Sequence, residues 1–114
     1  MTETELSAER VAQNQATFRK ANEGIQEAAR DYGSDDILPF ICECSETSCM
    51  ELVRLTLGEY EAVRAQSTHF ISAPGHYRAA AAWAKVVERR DGYEIVEKIG
   101  RAGGIADALD PRSE

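Results

Sequence analysis

Three cysteines fall within eight residues, Cys42, Cys44 and Cys49 of the run Ile41-Cys42-Glu43-Cys44-Ser45-Glu46-Thr47-Ser48-Cys49, and the chain of 114 residues has no others. Thiols confined to one short segment share a metal ion, react with one another, or sit together by chance, and each outcome sets how that segment must fold. On an extended backbone side chains two apart project to the same side, so Cys42 and Cys44 can meet one ion while Glu43 between them faces away. Residues 45–48 make a loop long enough to fold back and deliver Cys49, and their hydroxyls suit a turning backbone. An odd number of cysteines leaves one thiol over in any disulfide framework, which favours reduced or metallated thiols.

Zinc takes four tetrahedral ligands, most often thiolate sulfur and imidazole nitrogen. His76, presented by the turn Ala73-Pro74-Gly75-His76, is the expected fourth ligand, so the predicted site is Zn2+ on Cys42, Cys44, Cys49 and His76. The other histidine, His69, is expected at the end of a helix beside Phe70, in a capping or packing role. If neither histidine binds, Glu43, Glu46 or a water completes the set, and a water would open the site to catalysis. Three further readings stay open: an iron–sulfur cluster, three incidental thiols, and a thiol–disulfide switch. In the switch Cys49 must be one partner, because a Cys42–Cys44 bond is strained by their closeness.

The rest of the chain supplies a frame. Residues 6–32 read as one long helix, with Val11, Phe18, Ile25 and Tyr32 at seven-residue intervals and Asn14, Ala21 and Ala28 between them. This stripe predicts a helix that either docks its narrow apolar face on the rest of the chain or pairs with a protein partner or a second copy. Gly33-Ser34-Asp35-Asp36 stops it. Ile37-Leu38-Pro39-Phe40-Ile41 reads as a strand entering the cysteine run, with Pro39 favouring an edge, and Glu51-Leu52-Val53-Arg54-Leu55 as its return. Thr56-Leu57-Gly58-Glu59 matches a capping box and opens a short helix to about residue 66 that buries Tyr60 and Val63. Phe70-Ile71-Ser72-Ala73 is a short apolar segment, and the alanine-rich residues 78–84 form a helical turn or a longer loop. Arg90-Asp91-Gly92 joins two strands, Lys85-Val86-Val87-Glu88-Arg89 and Tyr93-Glu94-Ile95-Val96-Glu97-Lys98, because Asp-Gly tolerates the positive φ of a tight turn. Glu88, Glu94 and Glu97 are expected on its solvated face. Residues 100–104 break the pattern, and residues 105–109 form at most a helical turn.

The predicted fold class is therefore α+β: a long N-terminal helix, a metal-knuckle hairpin, a short helix and a second antiparallel hairpin. Its parts are an amphipathic helix over residues 1–33, a small metal-binding domain over 37–105 and a C-terminal tail over 106–114. The length suits one modest domain. Twenty acids against 13 bases leave a net charge of −7, and residues 1–36 carry eight acids and four bases. That balance disfavours nucleic acid, whose binding rests on clustered Lys and Arg. No apolar run approaches the roughly 18 residues of a membrane span, and the first residues are acidic where a signal peptide is basic, so a cytoplasmic protein without membrane contact is expected.

The runs Phe40-Ile41-Cys42-Glu43-Cys44 through Cys49, Leu55 to Arg64, Ala73-Pro74-Gly75-His76, Val86-Val87-Glu88 and Val96-Glu97-Lys98 resemble a group of small uncharacterised bacterial proteins, familiar chiefly from actinobacteria. The resemblance covers nearly the whole chain, including the tail Asp110-Pro111-Arg112, and implies no established activity. The chain departs from that pattern at residues 77–83, where alanines replace a more acidic stretch, and at His69. No glycine-rich phosphate loop, Gly-x-Ser-x-Gly elbow or His-Glu-x-x-His helix is present, so no enzyme class is indicated. The first functional reading is a small interaction or regulatory protein with a structural zinc. Its rival is a redox or metal sensor that frees the N-terminal helix for a partner such as a sigma factor, and the third reading is a metal-dependent enzyme.

Overall fold

The computed structural model describes residues 8–33, 36–44, 46 and 48–110. The first two residues of the expected helix, the linker residues Ser34 and Asp35, Ser45 and Thr47 of the knuckle, and residues 111–114 of the tail lie outside these. The fold is α+β, in the order α1 (Ala8–Tyr32), β1 (Ile37–Ile41), β2 (Leu52–Thr56), α2 (Leu57–Arg64), β3 (His69–Ser72), a 3-10 helix (His76–Trp83), β4 (Ala84–Arg90), β5 (Tyr93–Lys98) and α3 (Gly100–Leu109). No helix among the described residues is long and apolar enough to cross a membrane.

Strands β1 and β2 pair antiparallel with Phe40 opposite Val53 and Pro39 opposite Arg54. With only two strands both are edges, so Pro39 costs no interior ladder bond. Alternation along the strands buries Phe40, Val53 and Leu55, and leaves Ile37 and Leu52 exposed on the other face. Strand β2 runs directly into α2 through the predicted cap: the Glu59 N–H donates to Thr56 Oγ1 at 3.1 Å, and the Thr56 N–H donates to Glu59 Oε1 at 2.7 Å. Tyr60 then stacks on Phe40, with ring centroids 4.4 Å apart and planes 8° from parallel. These residues, with Val63, Ile71, Tyr93 and Ile95, form the main apolar core, and Cys42 and Cys44 belong to it.

The second sheet is larger than a hairpin. β4 and β5 pair across the Asp91-Gly92 turn, where Gly92 has φ +86°, and β3 joins the other edge of β5 to give the order β3-β5-β4. A register break between Val86 and Glu88 bulges β4 at Val87. Because β5 is central, Tyr93, Glu94, Ile95 and Val96 are all buried. This corrects the expectation for Glu94, which does not lie on a solvated face. His69 is likewise not at a helix end. It opens β3 opposite Glu97, and its Nε2 lies 3.3 Å from the Glu97 carboxylate.

Helix α1 buries Ala8, Val11, Ala12, Gln15, Arg19, Asn22, Gln26 and Ala29. The predicted seven-residue stripe is only partly on the docking face: Val11 is buried and Ile25 packs half-buried against the core, but Phe18 is half-buried, Ala21 and Ala28 are exposed, and Tyr32 is 88% exposed. The reason is that the docked face mixes small apolar residues with polar ones, and Arg19 and Asn22 find specific partners. Arg19 donates from Nη1 to the Ser67 carbonyl at 2.7 Å and from Nη2 to the His69 carbonyl, with its guanidinium 3.7 Å above the Phe70 ring. Where α1, α2 and the end of α3 converge, Arg64 donates to both Asp110 oxygens at 2.6 and 3.2 Å and to Glu23 at 3.2 Å. Residues 100–104 do not break the structure but begin α3. Gly103 is required there, since a Cβ would lie 2.8 Å from the Lys98 carbonyl oxygen.

Candidate metal centre

The segment after β1 stays extended and is held between the two sheets. The Cys42 N–H donates to the Glu51 carbonyl at 3.1 Å and the Glu43 N–H to the Ile71 carbonyl at 2.9 Å. Extended backbone sends Cys42 and Cys44 to one side and Glu43 to the other. A turn closed by the Cys49 N–H on the Glu46 carbonyl, at 3.0 Å, brings Cys49 back beside them.

His76 arrives from the opposite sheet on a tight turn. Its N–H donates to the Ala73 carbonyl at 3.0 Å, with Pro74 and Gly75 at the two central positions and Gly75 at φ +82°, ψ −11°. That is a type II turn, in which Pro suits the first central position and Gly the left-handed second one. Glu94 braces it, its carboxylate accepting from the Gly75 N–H at 2.9 Å and from Arg89 Nε at 3.0 Å. Glu94 was missed in the sequence, since nothing in a strand pattern marks an acid that reaches a turn 19 residues away.

All four predicted residues come together. The Sγ atoms of Cys42, Cys44 and Cys49 and a ring nitrogen of His76 lie within 4.8 Å of one another, a group able to hold a metal ion. His76 Nδ1 is 3.6 Å from Cys42 Sγ and 3.5 Å from Cys49 Sγ. With metal–sulfur bonds of about 2.3 Å and a metal–nitrogen bond of about 2.0–2.1 Å, the sulfur-to-nitrogen edge of a tetrahedron is about 3.6 Å. The two separations from His76 Nδ1 to Cys42 and Cys49 Sγ therefore match what one four-coordinate ion requires, and Cys44 Sγ lies within 4.8 Å of the rest. A polynuclear iron–sulfur cluster sets different metals under its thiolates and spreads them farther, so the spacing favours a single ion. His69 is not in the group.

Cys42 is the electronically distinct thiol. A hydrogen bond from Cys44 outweighs burial and, helped by the Ala73 N–H at 3.2 Å from Cys42 Sγ, holds its pKa down at about 5. Cys44, as the donor to Cys42 and a buried group, is pushed up. The environment thus favours the thiolate at Cys42.

Glu43 faces away from the cysteines, as expected, into a buried polar pocket behind the site. It is 1% exposed and its carboxylate accepts from Asn22 Nδ2 at 2.9 Å, the Ile71 N–H at 3.0 Å and the Tyr60 hydroxyl at 3.4 Å. Burial raises its pKa, opposed by the Arg19 guanidinium and these donors. Pointing away from the cysteines, it cannot act on anything bound there and serves instead to anchor the ligand strand to α1. Asn22 completes that anchor, donating from Nδ2 to the Ile41 carbonyl at 2.8 Å and accepting from the Ile41 N–H at 2.7 Å. No family model, curated protein or solved structure matches the chain.

Proposed function

We propose that the chain is a small zinc protein in which Cys42, Cys44, Cys49 and His76 hold one Zn2+, and that it acts by engaging another protein, with the zinc structural. The observation that carries this reading is the gathering of three thiols and an imidazole within 4.8 Å, with His76 Nδ1 3.5 and 3.6 Å from two of the thiols. Four protein ligands leave no position for a reactive water, which favours a structural role over catalysis. The ion would tie the knuckle to the 74–76 turn and so join the two sheets. Zinc binding in small domains supplies on the order of 10 kcal/mol of folding free energy, comparable to the whole stability of a domain this size. An interaction role is supported by Ile37 and Leu52, exposed on one face of the β1–β2 hairpin that carries the site, and by the exposed Met50 just before β2.

Native mass spectrometry of freshly purified protein, with a thermal melt, tests the zinc part. One zinc per chain is expected, and His76→Ala should lower zinc retention and melting temperature together. Full occupancy with unchanged melting in that variant would remove His76 from the site.

A thiol sensor is the second reading, favoured by the clustering of three thiols with Cys42 held toward thiolate. Peroxide would accept two electrons and be reduced to water as Cys42 and Cys49 lose them and join in a disulfide, which expels the ion. Reversible zinc loss with a change in oligomeric state on mild peroxide supports it. Thiol oxidation without either change counts against it.

A further inference from the structure

The four donors are not equally enclosed. Cys42 and Cys44 are buried, while Cys49 and His76 are half-buried and open onto a groove of about 400 Å³ that they line with Glu46, Ser48, Met50 and Glu51. Glu46 and Glu51 are exposed carboxylates, and Met50, at 88% exposure, sets a thioether at the groove on a side chain that packs against little else. Carboxylates draw a hydrated divalent ion by charge, and a thioether is a soft donor of the same character as the thiolates beyond it. The wall of the groove is thus graded from hard oxygen donors to soft sulfur and nitrogen donors.

We propose that this groove is the route by which the ion enters and leaves, and that the site exchanges its ion with external low-molecular-weight thiols. This rests on the reading of Cys42, Cys44, Cys49 and His76 as zinc ligands. With an ion held there, an incoming thiolate would meet it from the groove side and supply the electron pair of a new metal–sulfur bond as His76 Nδ1 let go with its own lone pair. A second thiolate would take the place of Cys49, whose sulfur would leave with its electron pair and take a proton from water. No atom changes oxidation state. Cys42 and Cys44 would release last, because both are buried and neither lines the groove. The knuckle's fold would then follow the zinc supply that the surrounding thiols set, a regulatory input built into a structural site.

The test uses the zinc-loaded full chain, reduced glutathione as the thiol and an excess of a chromogenic chelator to report released zinc. The expected release rate rises in proportion to glutathione, and Met50→Trp, a change at an exposed position that fills the mouth of the groove, slows the thiol-dependent rate several-fold at unchanged zinc stoichiometry. The double variant Glu46→Gln/Glu51→Gln should slow zinc uptake at low ionic strength, with the difference fading in high salt. A release rate independent of glutathione, or one unchanged by Met50→Trp, overturns the exchange route while leaving the zinc site standing. Protein that purifies and reconstitutes without zinc overturns the underlying metal reading instead.

Discussion

Replacing Asn22 by Ala should unseat α1 from the ligand strand at a cost that can be worked from three hydrogen bonds. Asn22 is fully buried and bonds to the Ile41 carbonyl at 2.8 Å, the Ile41 N–H at 2.7 Å and the Glu43 carboxylate at 2.9 Å. Two neutral bonds contribute about 1 kcal/mol each, and the charge-assisted bond to Glu43 about 2 kcal/mol, giving about 4 kcal/mol before relaxation. A water entering the space left by the amide recovers part of this, so about 3 kcal/mol is the expected loss. With an unfolding entropy of about 2.1 cal/mol/K per residue, each kcal/mol moves the midpoint of a domain this long by about 4 °C, so the melting temperature should fall by about 12 °C. Thermal and urea melts at fixed zinc concentration read the effect. Asn22→Asp provides a control, since it keeps an acceptor for the Ile41 N–H but sets a second carboxylate against Glu43, and it should be at least as damaging at pH 7. A loss below about 1 kcal/mol in Asn22→Ala would refute the claim that polar contacts, rather than an apolar seam, seat this helix.

Lys98 is 2% exposed, its ammonium has no hydrogen-bond partner among the described residues, and burial pushes its pKa down to about 7. An unfolded lysine titrates near 10.4, so below pH 7 the buried charge costs on the order of 4 kcal/mol; between about pH 7 and 10 the unfolded chain binds the extra proton and stability rises with pH. Lys98→Met should therefore stabilise the fold most at pH 6 and little near pH 10, and an equal gain at both in urea melts would contradict the sign. Glu94→Ala, which removes the brace on the Gly75 N–H and so loosens the turn carrying His76, should weaken zinc binding by about tenfold in a chelator competition, as loss of supporting hydrogen bonds does at other metal sites. Glu94→Gln keeps an acceptor for that N–H and should lose less, and unchanged affinity in both variants would separate Glu94 from the site.

What was legible in the sequence is what local chemistry decides. The alternation of Cys42, Glu43 and Cys44 fixes which side chains share a face, and the Thr56–Glu59 box and the Asp91-Gly92 turn need no distant partner to form. The Pro74-Gly75 turn announces its own geometry and with it the placement of His76. The α1 docking face was not fully legible, because hydrophobic periodicity cannot register the buried Arg19 and Asn22, whose partners are carbonyls and a carboxylate far along the chain. Glu94 misled for a related reason: a charged residue in a strand pattern reads as solvated unless its buried donors are known. Helix α3 was hidden by glycines of low helical propensity, one of which, Gly103, is present to let the helix approach the Lys98 carbonyl.

X-ray absorption on the purified, zinc-loaded protein tests the central claim most directly. The account predicts one zinc surrounded by three sulfurs at about 2.3 Å and one imidazole nitrogen at about 2.0–2.1 Å, with no oxygen ligand. A shell containing a bound water or fewer than three sulfurs would contradict it.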